Sequence, residues 1–141
     1  MKLIKYIFSI SLFVLVATPA RSSDYDKYLK PENSVKILSI SPSNKKPLES
    51  GKTVSFDLEI QYKLGSAEAA KILMHVQRSD SHKPLLSDFD VVLKGEGKIH
   101  MSKDVLIPKT KAIEVFISLL PEGMNTTGLV DSRFYKVATN N

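Results

Sequence analysis

The chain has 141 residues, of which 43% are hydrophobic and 25% charged, with a formal net charge of +5 and no cysteine. The absence of cysteine excludes a disulfide scaffold, thiol catalysis and metal sites built on thiolates. The lysines are scattered along the chain rather than clustered, so a nucleic-acid partner is not expected.

The first 20 residues have the composition of a signal peptide. Lys2 and Lys5 precede an apolar run over residues 7–17, and residues 18–20 (Thr-Pro-Ala) are small enough for signal peptidase. The alternative is an uncleaved anchor, but the run is shorter than the roughly 20 residues that span a bilayer. We therefore expect cleavage after Ala20, no stable membrane insertion afterwards, and a periplasmic or secreted protein. Loss of the two lysines lowers the formal charge from +5 to +3.

Residues 21–33 are polar and predict a flexible N-terminal lead, and residues 34–141 predict one folded domain. A first strand begins near Val35. Its apolar residues change parity between Ile37 and Leu38, which predicts a bulge.

The clearest strand lies between Gly51 and Gly65. Its apolar residues alternate strictly with polar ones: Val54, Phe56, Leu58, Ile60, Tyr62 and Leu64. A period of two residues indicates a strand that buries one face and leaves the other in water.

The next segments predict further short strands with turns between them. Gly65-Ser66 predicts a turn, and a third strand follows over residues 72–76. A fourth strand has an apolar face of Phe89, Val91 and Leu93, and Gly95–Gly97 predicts a three-residue hairpin after it. Later strands are expected at residues 105–107, 113–119 and 129–137.

About seven short strands and no helical period predict an all-β, antiparallel, two-sheet immunoglobulin-like sandwich. A small closed barrel is the alternative architecture.

The chain resembles a bacterial immunoglobulin-like or fibronectin-type-III-like module. The resemblance rests on three segments: Ile40-Ser41-Pro42, Leu48-Glu49-Ser50-Gly51 and Val54-x-Phe56-x-Leu58-x-Ile60. It covers most of residues 34–141 and implies the sandwich fold. A core tryptophan and a tyrosine corner are missing, and the resemblance implies no particular activity.

Candidates for chemistry are sparse. His75, His82 and His100 lack the spacing of a metal site, so we expect no metal and no cofactor. Asp88 and Asp90 share one face of a strand and could bind calcium or act as acid and base. The alternative is a solvated face opposite an inward-facing Phe89 and Val91, with charge that discourages edge pairing. No Gly-x-Ser-x-Gly elbow occurs, and an enzyme is not expected.

The last strand places aromatic and basic residues side by side. Arg133, Phe134, Tyr135 and Lys136 form a candidate binding surface, because tyrosine and arginine are favoured interface anchors. The alternative is a terminal strand that packs on both sides, with Asp131 and Arg133 as an exposed ion pair.

We therefore expect an exported, non-enzymatic β-sandwich module that binds a protein or glycan at the bacterial cell envelope. The loops at 79–87 and 121–128 are the expected contact surface. Two alternatives are a structural subunit that assembles through sheet edges into a surface polymer, and a small hydrolase or metal-binding protein on the same scaffold.

Overall fold

The computed structural model describes residues 32–125 and 129–138, and most of them lie in strands. The strands are β1 (Ser34–Ser41), β2 (Leu48–Glu49), β3 (Thr53–Arg78), β4 (Pro84–Leu106), β5 (Ala112–Pro121) and β6 (Val130–Ala138). These ranges contain no helix, and so none that could cross a membrane, which confirms the all-β class. The predicted signal peptide and residues 21–31 of the predicted lead lie outside the described residues.

The alternating segment after Gly51 is a strand, as predicted. Phe56, Leu58 and Ile60 have no exposed surface, whereas the residues between them are exposed or half-buried. Burial of each such side chain contributes about 1.5–3 kcal/mol, so this face is a main source of the fold's stability.

The predicted turn at Gly65-Ser66 is wrong, because β3 continues to Arg78. Its pairing with β4 shifts in register between Leu64 and Ala69. The side chain of Asn33 satisfies the backbone there: its Oδ1 accepts from the N–H groups of Gly65 (3.0 Å) and Ser66 (3.2 Å). A local side-chain partner therefore replaces the ladder bonds, and the strand passes through the irregularity without turning.

Residue 65 must be glycine for a packing reason. A Cβ atom at Gly65 would lie 2.8 Å from Cβ of Glu32 and 3.1 Å from its carbonyl oxygen. The segment before β1 thus approaches β3 at a distance that only a residue without a side chain allows.

The two halves of β3 have different neighbours. The first half lies between β1 and the second half of β4, and the second half lies between β5 and the first half of β4. The sheet order is β1-β3-β5-β6-β2, with β4 on β3. All of these pairs are antiparallel except β2 with β6, where Leu48 pairs in parallel with Val137.

The bulge predicted in β1 is confirmed, since its register against β3 shifts between Ile37 and Ser39. Strand β5 is also as predicted, with Ile113, Val115 and Ile117 fully buried.

Strand β4 replaces three predicted features: a fourth strand, a hairpin at Gly95–Gly97 and a short extended piece. The hairpin is wrong because Gly95 and Gly97 pair with Leu64 and Tyr62 in the continuous ladder to β3. Gly95 has a φ of +127°, which a residue with a side chain rarely adopts.

The buried face of β4 changes parity at this point. Val92 is buried before Gly95, and Met101 and Val105 are buried after it. The predicted inward face of Phe89, Val91 and Leu93 is therefore wrong, because these three side chains point outward. Because β3 and β4 each join segments that were predicted as separate strands, the described residues contain six strands and not the predicted seven or so.

The buried side chains from both halves of β3 belong to one hydrophobic cluster. Its members include Ile37, Phe56, Leu58, Ile60, Ile72, Met74, Val76, Val92, Met101, Val105, Ile113, Val115, Ile117, Leu119, Tyr135 and Val137.

Candidate functional site

Tyr135, one of the predicted binding residues, lies in the core. Its side chain has no exposed surface, and its ring meets the ring of Phe56 edge-on, with centroids 5.3 Å apart. Its hydroxyl donates to the carbonyl oxygen of Pro42 at 2.7 Å. Burial disfavours the phenolate and raises the pKa of Tyr135 to about 12. Tyr135 thus has a structural role and offers no contact to a ligand.

Arg133 is used within the fold as well. Its guanidinium donates to Asp131 Oδ1 (2.8 Å), to the carbonyl of Ser132 (2.7 Å) and to the carbonyl of Ile37 (3.2 Å). Asp131 Oδ2 accepts from the N–H of Ile37 at 2.8 Å. The two side chains therefore satisfy both backbone groups of Ile37 at the bulge of β1, as a neighbouring strand would.

The environment of Asp131 favours its ionised form. Partial burial opposes ionisation, but the hydrogen bonds from the Ile37 N–H and the Arg133 guanidinium, together with the charge of Arg133, outweigh it. The pKa of Asp131 is accordingly lowered from its ordinary value. The interpretation of Asp131 and Arg133 as an exposed pair omits their main contact, which is with β1.

Phe134 and Lys136 lie on the opposite face of β6 and are exposed, Phe134 by 57%. The structure therefore places the four predicted residues on two faces, with Arg133 and Tyr135 turned inward. Phe134 and Lys136 are exposed and Arg133 is half-buried, whereas Tyr135 is inaccessible to a partner, and participation of the first three in binding stays a prediction.

The structure exposes an apolar row that the sequence prediction placed in the core. Phe89, Val91 and Leu93 follow one another on β4 and are 50%, 57% and 69% exposed. We call these three residues the β4 row. No sequence signal reveals their outward direction, because Val92 gives the opposite face of this segment an apolar residue too.

A cation lies beside the β4 row. Lys71 Nζ is 4.6 Å from the ring centroid of Phe89, within the range of a cation–π interaction. In the ladder between β3 and β4, Lys71 pairs with Val91 and half-buried Leu73 pairs with Phe89. The row thus continues onto β3 as a mixed apolar and basic surface.

An aromatic pair lies further along the same face. The rings of His75 and Phe116 stack with centroids 4.8 Å apart and an interplanar angle of 21°. Ser87 Oγ lies 3.0 Å from His75 Nδ1. Partial burial lowers the pKa of His75 and so favours the neutral imidazole.

A groove adjoins the β4 row at the end of β5. It has a volume of about 380 Å³ and is open to solvent. Its lining includes Lys71, Val91, Leu120, Gly123 and Met124. The predicted loop contact surface at 121–128 thus borders this groove, although residues 126–128 lie outside the described part of the chain.

Asp88 and Asp90 interact with their own strand. Asp88 forms an ion pair with Lys103, and its carboxylate also accepts from the N–H of Phe89 at 2.9 Å. The hydrogen bond from Lys103, followed by that from Phe89, lowers the pKa of Asp88. Asp90 Oδ1 accepts from the N–H of Val91 at 3.3 Å.

No group of three or more histidine, cysteine or acidic side chains in residues 32–125 and 129–138 is arranged to hold a metal ion.

Comparisons with known proteins give one kind of match, at the level of structure. No protein-family model matches the sequence, and no curated protein does. Among solved structures, the chain is similar to part of a β-glucosidase from Listeria innocua, both free and in complex with gluconolactone or isofagomine. The identities are 13–15% and the TM-scores 0.47–0.48, over 76–77% of this chain. The match spans 16% of the β-glucosidase chain, and a likeness this low transfers no activity.

Proposed function

We propose that this chain is an exported, non-enzymatic, immunoglobulin-like module that binds a protein or glycan at the bacterial cell envelope. In this proposal the binding surface is the outward face around the β4 row. The observation that carries it is the exposure of Phe89, Val91 and Leu93 as one continuous apolar row beside Lys71 and an open groove.

Contacts between unpaired strands support a two-layer arrangement. β1 contacts β5 and β6 without sharing a backbone ladder with either of them. The ring contact between Phe56 on β3 and Tyr135 on β6 likewise joins strands that are not ladder partners. Strands that meet through their side chains belong to facing layers, as in a sandwich, and the single hydrophobic cluster fits this arrangement.

The chemistry of the outward face supports binding rather than catalysis. A soluble sheet normally turns its apolar residues to the core and its polar residues to water. A row of half-exposed apolar side chains beside a cation and a concave groove is typical of a recognition surface. The same surface suits a protein partner through apolar contact, or a sugar ring stacked on Phe89.

Export rests on the amino-acid pattern of residues 1–20. Expression of the 141-residue chain, followed by cell fractionation and intact mass measurement, tests it directly. The expected result is a periplasmic or secreted chain that begins at Arg21. A cytoplasmic chain that retains residues 1–20 would contradict export.

Binding is tested with a surface variant and a matched control. The double variant Phe89→Ser/Leu93→Ser replaces two of the three apolar side chains of the β4 row with polar ones. The control variant is Leu106→Ser, because Leu106 is 63% exposed and lies at the other end of the same strand. The native protein, the double variant and the control variant are each used to capture partners from envelope extract and to probe a glycan array. We expect specific partners to be lost by the double variant and kept by the control. Identical binding profiles for all three proteins would refute this surface.

A further inference from the structure

We propose that two copies of this chain pair edge to edge through the first half of β4, in an antiparallel register centred on Val91. This inference goes beyond the proposed binding function, since it concerns the assembly of the chain itself. Within the described residues β4 pairs with β3 alone, so its other edge has no strand beside it.

The backbone of the β4 row faces this open edge. The N–H groups of Phe89 and Val91 donate to the side chains of Asp88 and Asp90, at 2.9 and 3.3 Å. Because backbone bonds alternate between the two edges of a strand, the odd-numbered residues from 89 to 93 direct their N–H and C=O groups away from β3. A second strand would exchange each of these carboxylate contacts for a ladder bond, so no donor would lose its partner.

The sequence of this edge is complementary to itself in one register. With Val91 opposite Val91 of the second copy, Phe89 lies opposite Leu93 and Leu93 opposite Phe89. All three exposed apolar side chains of one copy then meet the three of the other. Six apolar side chains would form one row across the two-fold axis, where cross-strand apolar pairs stabilise a sheet.

Charge favours the same register. Asp88 of one copy lies opposite Lys94 of the other, and Asp90 lies opposite an apolar residue. Asp88 is already paired with Lys103, and Lys94 with Glu68. Pairing would therefore extend these contacts into a chain of alternating charges, with no carboxylate opposite another.

Neighbouring registers bring like charges together. A register centred on Phe89 places Asp88 opposite Asp90 at two points, and one centred on Asp90 places that residue opposite itself. A register centred on Val92 places Asp88 opposite Glu96. Like charges directly opposite each other destabilise a strand pair, so the register centred on Val91 is favoured.

The assembly is closed. Each copy contributes the same β4 edge to a two-fold interface. Both of these edges are occupied in the dimer, so a third chain cannot add to them. The two outward faces would lie side by side on the same surface of a continuous sheet. The dimer would thus present two binding surfaces to one partner or to a repetitive ligand.

Sedimentation equilibrium of the purified protein measures the association. We expect a reversible monomer–dimer equilibrium that Val91→Lys weakens at least about tenfold, because it places two cations opposite each other on the axis. Asp90→Thr, which removes a carboxylate contact at the edge, should strengthen the dimer. Leu106→Lys, at a residue similarly exposed on the same strand, should leave the association unchanged. A chain that is monomeric up to millimolar concentration, or one that Val91→Lys and Leu106→Lys affect equally, would overturn the proposal.

The register is tested by single cysteines, which this cysteine-free chain makes unambiguous. Under mild oxidation Val91→Cys should form a disulfide-linked dimer, since residues directly opposite each other have Cα atoms about 5.5 Å apart. Phe89→Cys and Leu106→Cys should stay monomeric. Linking of Phe89→Cys in preference to Val91→Cys would refute the register, and absence of linking in all three would refute the dimer. Binding of an envelope partner is measured separately, and a monomeric chain would leave that proposal standing.

Discussion

Ionisation of Tyr135 should destabilise the fold at high pH. Its pKa is raised from 10.0 to about 12, so the folded state holds the phenolic proton more tightly than the unfolded chain does. The corresponding stability is fully present below pH 10 and is lost as the pH rises through 12. Since a difference of one in pKa corresponds to about 1.4 kcal/mol, the loss is on the order of 3 kcal/mol.

Tyr135→Phe separates this effect from the titration of other groups. Below pH 10 the variant should be less stable by about 1 kcal/mol, because the carbonyl of Pro42 loses the donor that lies 2.7 Å away. Between pH 10 and 12 the native protein should lose stability relative to the variant, and the order of the two should reverse. Lysine titration is common to both proteins and cancels in the difference.

The measurement is urea unfolding followed by far-ultraviolet circular dichroism, at intervals from pH 8 to 12. The chain has no tryptophan, and tyrosine fluorescence would itself change with ionisation. Parallel stability profiles of the native protein and Tyr135→Phe across this range would refute the argument that Tyr135 is buried as a neutral donor.

Three further predictions concern stability. Gly65→Ala should cost about 1–3 kcal/mol in urea unfolding, because its Cβ would lie 2.8 Å from that of Glu32, and an unchanged midpoint would contradict this close approach. Asp131→Asn should reduce the loss of stability on acidification. Because the pKa of Asp131 is lowered in the folded state, ionised Asp131 stabilises the fold above its ordinary pKa of 3.8, and this stability is lost as the pH falls through the pKa of the folded state. Identical acid unfolding curves would exclude this contribution. Phe89→Ser should change the free energy of unfolding by less than about 0.5 kcal/mol, whereas Ile60→Ala should cost about 2–5 kcal/mol, and a comparable loss in both would place Phe89 in the core.

The side chains of Asp131 and Arg133 show how a surface prediction can miss a structural role. Their spacing on one strand predicts a local ion pair, and that pair exists at 2.8 Å. Their contacts to the backbone of Ile37 cross more than 90 residues of sequence. No local pattern carries that information, because it depends on where β1 lies relative to β6.

The β4 row shows the corresponding limit for burial. Alternation correctly places Phe89, Val91 and Leu93 on one face, but it does not say which face meets the core. In the first half of β3 the opposite face, from Thr53 to Lys63, is polar throughout, so solvation alone determines which face is buried. In β4 the face that carries Asp88 also carries Val92, and packing against the rest of the core decides between the two.

The sequence by itself determined the all-β class, the strands at β1, β3, β5 and β6, the bulge near Ile37 and the buried face of the first half of β3. These features follow from local periodicity, which fixes the direction of successive side chains along a strand. Only the tertiary structure decided that β3 and β4 continue past their glycines, that Tyr135 is internal, and that the β4 row is exposed. Those outcomes depend on contacts between distant residues, such as Asn33 with Gly65 and Phe56 with Tyr135, which no local period encodes.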